Sequence, residues 1–437
     1  MRCQPGLVNV VRGDVGAVGR LLLAGRRAVR GVLARPLTSF HLVVGLSAVL
    51  IGLGLVMVLS ASSIDSLTST GNPYGVFEHQ LVYCAFGVAA FGVAVRLPPE
   101  RWRAWSAWLL LASLVGLAAV LVPGLGSSVA GARKWFVLGG ISVQPSEPAK
   151  LALVLWGAHL LVARDRVLGR WRRAPLPLVP VALLMAGLVV LQPDLGSAIC
   201  VVIILFSLLW FAPTSIRLIA ALGAGVAVSV AMLAMGASYR MQRLTSFLSP
   251  DAADPLGPGY QARQALYSLA DGGFFGVGLG QGAAQWNYLP NASNDFVFAV
   301  LGEQLGMVGA VAVLLLYGLL GYTGLRIASR STDRWTRVVV ATLTAWLVAQ
   351  AMINVGYVLG LLPVTGITLP LLSSGGSSVV VTMISLGIIA AAARREPEAR
   401  VALSQRPHSP RRLGGRGRSV TTTQGSGGEG REPAGSG

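Results

Sequence analysis

Four acids and one lysine stand where long apolar runs begin or continue: Glu147, Lys150, Asp194, Asp295 and Glu303. The sharpest case is "YLPNASNDFVFAV", Tyr288 to Val300, where polar residues run up to Asp295 and apolar ones then continue to about Leu325. An ionisable group at mid-bilayer costs at least about 2.5 kcal/mol, so each of the five is a functional candidate by default. A carboxylate partly withdrawn from water gains basicity and can take a proton from a sugar hydroxyl, as a general base does. Asp295 also ends a Pro-Asn-Ala-Ser-Asn-Asp run before a helix, so capping that helix is the plainer reading. Spacing alone leaves both open.

The stretches "QPSEPAK" (Gln144–Lys150) and "QPDLGSA" (Gln192–Ala198) each put a proline at the expected first helical position and a carboxylate in or near the first turn. The helix dipole favours negative charge there. For Asp194 this structural role competes evenly with a functional one. Glu147 and Lys150 are spaced i, i+3 on one face and can pair, yet Lys150 lies about 6–8 Å inside the helix start. A cation there can also serve the phosphates of a lipid headgroup. Glu303 is about 12 Å deeper than Asp295 along its helix. It needs a partner or a proton; Lys150 is the one embedded cation, and a structural role is the default.

These residues need a frame. The chain has 437 residues, 54% hydrophobic and 12% charged, about half the charged fraction of a soluble protein. Apolar runs long enough to cross a bilayer recur along it, so the fold class is an all-α polytopic membrane protein. Ten spans are predicted at about 40–61, 79–97, 104–123, 146–163, 175–191, 196–212, 217–236, 296–324, 338–359 and 377–393. An even number puts both termini on one side. Basic residues divide 29 to 5 between the two sides, which places the termini in the cytoplasm. Glu147, Asp194 and Asp295 then lie at the outer ends of spans, away from ATP.

The net charge of +18 is spread over short segments between spans and does not point to nucleic acid. Three cysteines, Cys3, Cys84 and Cys200, form no disulfide framework or metal pair. His41, His79, His159 and His408 form no ligand set, and neither GxSxG nor a Walker motif is present. Residues 1–38 read as a basic cytoplasmic arm, 39–393 as the membrane domain, and 394–437, rich in Gly, Pro, Ser and Arg, as a disordered cytoplasmic tail. The large outer loop spans 237–295, between spans 7 and 8. It carries a short amphipathic helix at about 260–270 and a glycine-rich turn. Gly278, Gly280 and Ala283 match the letters of a dinucleotide fingerprint, but the flanking strand and helix are missing; a flexible or re-entrant turn fits better.

"QPSEPAK", "LQPDLGSA", "YQARQALYSLADGGFFGVGLGQG", "YLPNASNDFVFAVLGEQLG" and "LLPVTGITLPLLSSGGSS" occur in that order. In order and spacing they resemble the SEDS (FtsW/RodA) membrane glycosyltransferases, named for shape, elongation, division and sporulation. The resemblance covers about residues 40–393. It implies ten spans and polymerisation of lipid II into glycan strands outside the bacterial cytoplasmic membrane. The implied partners are a cognate class B penicillin-binding protein and other divisome proteins. The family's essential aspartate falls on Asp295. The "WNYLPNAxND" form and Arg-rich ends resemble the cell-division branch of high-GC actinobacteria, at the septum, more than an elongation or sporulation paralogue. This chain departs from the family pattern at Ser293 and Asn294, where His or Thr is frequent, and at Gln304, Ser374 and Pro148. None removes an acid or base used here.

The implied reaction is an inverting glycosyl transfer with Asp295 taking the acceptor's proton and undecaprenyl pyrophosphate leaving. Arg133, Lys134, Lys150 and Arg243 are the candidate cations for that leaving group, with Mg²⁺ or Mn²⁺ shared with a carboxylate as another source of charge. Glu147 and Asp194 are further candidate substrate contacts. Two rival classes remain: a lipid II flippase, whose charges belong nearer the midplane, and a non-catalytic scaffold, which needs no embedded charge.

Overall fold

Ten helices lie where the ten spans are predicted. In the computed structural model, which describes residues 37–129, 132–168, 177–212, 214–235, 247, 259–286 and 288–404, these are α1 (Thr38–Thr70), α2 (Gly75–Arg96), α3 (Pro99–Ala119), α4 (Ser146–Leu168), α5 (Leu178–Leu191), α6 (Leu195–Phe211), α7 (Ile216–Met235), α9 (Val297–Arg330), α10 (Arg334–Val358) and α11 (Gly376–Ala393). Six of them, α1, α2, α3, α9, α10 and α11, are long and apolar enough to cross a membrane; α5, α6 and the start of α7 are apolar but shorter. The bundle has a centre and a rim. The most apolar stretches of α10 and α11 are 72% and 83% buried, against 17% for α2, so α10 and α11 form the inner scaffold. Rim side chains such as Trp108 and Leu315 are exposed, as a lipid-facing surface requires.

Between α3 and α4 the chain forms a three-stranded antiparallel sheet, β1 (Ser127–Val129), β2 (Ala132–Leu138) and β3 (Ile141–Val143). Phe136 pairs with Val143 and Leu138 with Ile141 around Gly139-Gly140. The sheet is not among the sequence expectations. Its signal is the Gly-Gly pair between two apolar runs, a hairpin mark.

The expected amphipathic helix is present as α8 (Gly259–Gly272) and packs on α9. The glycine-rich stretch after it is a wedge with fixed partners. α9 is broken at Gly306, whose backbone (φ 69°, ψ −169°) is not helical. The carbonyls freed by the break are taken by the loop: Val277 N–H donates to Glu303 O (3.0 Å) and Gly278 N–H to Gln304 O (3.1 Å). Beyond the break, Met307 N–H donates to Gly273 O (2.9 Å) and Val308 N–H to Phe274 O (3.2 Å). Irregular backbone at membrane depth survives only when its polar groups are satisfied in this way. A Cβ on Gly306 would lie 2.4 Å from the Gly276 nitrogen, and one on Gly276 would lie 2.2 Å from Gln304 O. Only glycine fits either side of the seam.

At the bundle's other end Asp333 caps α10, accepting from Thr336 N–H (3.0 Å) and Thr336 Oγ1 (2.6 Å), and pairs with Arg103. Arg103 also lies over the Trp335 ring. Burial raises the Asp333 carboxyl, but the Arg103 hydrogen bond and the two Thr336 donors outweigh it and hold the group below the usual carboxylate value. Residues 397–404, expected within the disordered tail, instead form α12 (Pro397–Ser404), tied back through Glu396 and Glu398 to Arg330. The arm up to residue 36 and the tail from 405 lie outside the described residues.

Candidate active site

Asp295 is placed by its turn and not by the helix it precedes. Asn291 adopts a left-handed φ of 58°, tolerated by asparagine more than by most residues. Its carbonyl then accepts from the N–H groups of Asn294 (3.1 Å), Asp295 (3.1 Å) and Phe296 (3.4 Å). Ala292 and Phe296 are buried and anchor the turn, while Asp295 is partly exposed. The cap residue of α9 is Phe296, with no side-chain cap bond. Asp295 stands one residue outside the cap position, so the capping role allowed by spacing is not the one it occupies.

The segment joining α10 to α11, residues 359–375, folds back over this turn. Ser374 N–H donates to Ser293 O (2.9 Å), and Ser374 Oγ donates to Asn294 Oδ1 (2.6 Å). Ser374, one of the departures from the family pattern, is therefore a tie to the Asp295 turn. The segment is itself pinned: Leu369 N–H donates to Ser373 Oγ (2.8 Å), and Tyr317 Oη donates to Pro370 O. Gly366, with φ +73°, faces Asp295; a Cβ there would lie 3.5 Å from Asp295 Oδ2. From the other side, a Cβ on Gly196 in the first turn of α6 would lie 3.1 Å from Thr365 O and 3.2 Å from Gly366 O. Asp295 and the start of α6 thus flank one stretch of backbone.

That second flank holds the remaining acids. Asp194 is the N-cap of α6, accepting from Ser197 N–H (3.2 Å), and Pro193 precedes the cap, outside the first helical position expected for it. Its other oxygen accepts from Gln144 Nε2 (2.6 Å), and Lys134 Nζ is 4.0 Å away. Glu147 and Lys150 pair at 2.8 Å, as their spacing predicts, and both are buried. Lys150 Nζ also sits 5.3 Å from the Trp346 ring centroid. Pro148 falls inside the first turn of α4, where the N–H it lacks has no helical partner in any case.

Glu303 goes elsewhere. Its carboxylate accepts from Ala283 N–H (2.7 Å) and Ala284 N–H (3.2 and 3.3 Å), opening the 3₁₀ turn Ala283–Trp286. It does not pair with Lys150, the one embedded cation considered for it, because Lys150 is taken by Glu147 and Glu303 by loop backbone. Arg133 donates to Leu121 O (3.3 Å) next to Lys134 on β2. Arg243 lies outside the described residues. Among the described residues no three His, Cys, Asp or Glu side chains converge on a metal position.

Sequence reasoning missed Gln144, Gln350, Asn354 and Tyr357. Gln350 donates to Thr368 O (2.9 Å), and Asn354 and Tyr357 reach Asp295 itself. Their signal was present: three polar groups at i, i+4 and i+7 on one face of an otherwise apolar span. Together the elements supply a partly exposed carboxylate against the 359–375 backbone, with Lys134 beside Asp194 on the other flank of that backbone. That is equipment for removing a proton beside an anionic group.

A family model described as "Cell cycle protein", covering FtsW, RodA and SpoVE, matches residues 40–398. The chain is 50% identical over 373 residues to the probable peptidoglycan glycosyltransferase FtsW of Mycobacterium tuberculosis, covering 85% of this chain and 71% of the relative. It is 36% identical over 348 residues to stage V sporulation protein E of Bacillus subtilis, covering 80% and 95%. Among solved structures it is similar to a chain of a peptidoglycan synthase complex that coordinates polymerization and crosslinking, with TM-score 0.67, 32% identity and coverage of 81% and 97%. It is also similar to the rod shape determining protein RodA of Thermus thermophilus, with TM-score 0.59, 30% identity and coverage of 81% and 96%.

Proposed function

We infer the function from one premise: this chain belongs to the FtsW, RodA and SpoVE family of cell cycle proteins. It is a multi-pass membrane protein and a peptidoglycan glycosyltransferase of the FtsW type. The finer reading is ours. All ten helices that coincide with predicted spans cross the membrane, with both termini in the cytoplasm, because the basic residues divide 29 to 5. The domain limits are an arm at 1–38, a membrane domain from 39 and a cytoplasmic tail, with α12 belonging to the ordered part. The site then opens on the outer face, and the protein works at the division septum with a class B penicillin-binding protein and other divisome proteins.

The substrate is lipid II, as both acceptor and donor-linked strand. The acceptor's GlcNAc 4-hydroxyl oxygen forms the new bond to the anomeric carbon of the strand's terminal MurNAc. The bond from that carbon to the pyrophosphate oxygen breaks with inversion, and Asp295 takes the hydroxyl proton. The observation that carries this reading is that Asp295 stands outside the α9 cap, partly exposed, on a turn tied to a second segment. Lys134 and Arg133 offer charge to the leaving pyrophosphate, while Glu147, Lys150 and Asp194 form the buried floor beneath that edge. Every step uses side chains of the chain itself. Mg²⁺ or Mn²⁺, shared between the pyrophosphate and a carboxylate of the chain, would be a further source of positive charge for the leaving group.

A broken helix such as α9 is also a transporter trait, but here its backbone is filled by the chain's own loop. One experiment separates the two classes. Purified protein with its class B partner is given labelled lipid II, and glycan strands are compared for wild type and Asp295→Asn. Polymer from wild type alone supports the reading. Polymer from both removes Asp295 as base, and lipid II crossing vesicle membranes without polymer supports the flippase.

A further inference from the structure

Two buried side chains of α10, Asn354 and Tyr357, converge on the backbone of Asp295. Asn354 Nδ2 is 2.9 Å from Asp295 O, 2.7 Å from Ile367 O and 2.6 Å from Tyr357 Oη. Tyr357 Oη is 2.7 Å from each of the same two carbonyls. Both residues are 0% exposed. An asparagine amide offers two protons and a phenol one, so three protons serve two carbonyl oxygens and the contact between the donors. Three protons are enough to give each carbonyl a donor and leave one for the contact between the two side chains.

Both carbonyls belong to irregular backbone, the Asn291–Phe296 turn and the 359–375 segment, which do not supply these donors themselves. We propose that Asn354 and Tyr357 are positioning residues for Asp295, holding it and the Gly366 wall opposite its carboxylate in fixed relation. The inference rests on the reading of Asp295 as the proton acceptor. Asp295 N–H is already held by Asn291 O at 3.1 Å. With its carbonyl held too, the direction of its side chain is set by the backbone and only its own rotamer remains. Ile367 follows Gly366, whose Cβ position is 3.5 Å from Asp295 Oδ2, so one polar pair sets both sides of that gap. The Tyr357 ring is located by Phe296, edge to face at 5.7 Å. The pair is not the arrangement that packing would choose. Asn354 Oδ1 is buried without a hydrogen-bond partner, an orphaned acceptor that an apolar residue would not leave.

A displacement of about 1 Å at a reacting group can lower a rate about 100-fold while substrate binding is unaffected. The test uses the complex with the class B partner and lipid II, and measures kcat, KM and the thermal midpoint for Tyr357→Phe and Asn354→Leu. Tyr357→Phe keeps the ring and its contact with Phe296, so it reports on the hydroxyl alone. The expected result is a fall in kcat of about 10- to 100-fold with KM for lipid II unchanged and, for Tyr357→Phe, a wild-type thermal midpoint. Wild-type kcat in both variants overturns the proposal. So does a joint loss of kcat, lipid II affinity and thermal midpoint in Tyr357→Phe, which is the pattern of a purely structural role. Asp295→Asn is assayed beside them. If it abolishes polymer while both α10 variants keep wild-type kcat, positioning fails and the base stands; if it retains polymer, the base fails and the positioning role with it.

Discussion

Asp194 and Asp295 stand at the starts of two apolar helices, α6 and α9, and local sequence makes them look alike. Asp194 is 5% exposed and its side chain starts its helix, accepting from Ser197 N–H, with Gln144 and Lys134 on its flanks. Asp295 is more exposed, one residue outside its helix, and contributes its backbone carbonyl to the scaffold. One residue of offset separates a carboxylate that closes a helix from one whose side chain is not used to start it. Glu303 falls on the Asp194 side of the comparison, since its oxygens close the turn at Ala283 and Ala284.

The contrast predicts that Asp295 variants lose rate and the other acids lose stability. Asp295→Asn is expected to lower glycan formation by about 10²- to 10⁴-fold, the usual worth of a general base. Its thermal midpoint should stay near wild type, because the bonds from Asn354 and Tyr357 go to the backbone; a large drop in midpoint would put Asp295 with the capping acids. Gly306→Ala is the next largest effect. A left-handed backbone near the glycine-only region and a Cβ 2.4 Å from the Gly276 nitrogen should cost about 3 kcal/mol or more, read as lost thermal stability or failure to accumulate. A variant as stable as wild type would show that the wedge is not required.

Asp194→Ala should cost about 1–3 kcal/mol, from the lost cap and from Gln144 left without its acceptor. Asp194→Asn should recover part of it, since an asparagine oxygen also caps. If Asp194→Ala melts like wild type yet makes no polymer, the two aspartates are not different in kind. The smallest effect is at the opposite end. The Asp333 carboxyl lies below its ordinary value of 3.8, so its contribution is present above that value and lost as pH falls through the lower folded one. At 40% side-chain exposure this is under about 1 kcal/mol. Melting curves from pH 6 down to about 3 should show a slope that Asp333→Asn flattens; an unchanged slope removes the pair from the account.

The helices were legible because apolar runs long enough to span leave little choice of structure, and all ten predicted positions hold one. The Glu147–Lys150 pair was legible for a similar reason, as i, i+3 spacing on a helix is itself a distance. Partners on irregular backbone were not. Nothing local in Glu303 names Ala283 and Ala284 as its donors, and Gly306 sits inside an apolar run that reads as continuous. Gln350, Asn354 and Tyr357 showed only as polar groups on one helical face; what they hold, Thr368, Ile367 and Asp295, is set by tertiary folding. Asp295, the proposed base, stood out because chemistry put a charge where hydropathy argued against one.

The seam at Gly306 also bears on how such proteins can be recombined. Residues 273–278 and 303–308 are joined by four backbone bonds that no side chain supplies, so the loop and the break form one cassette. A chimera that exchanges the glycine-rich stretch alone would set a foreign wedge in a native slot. The natural junctions lie outside it, before Gly272 and after Val308.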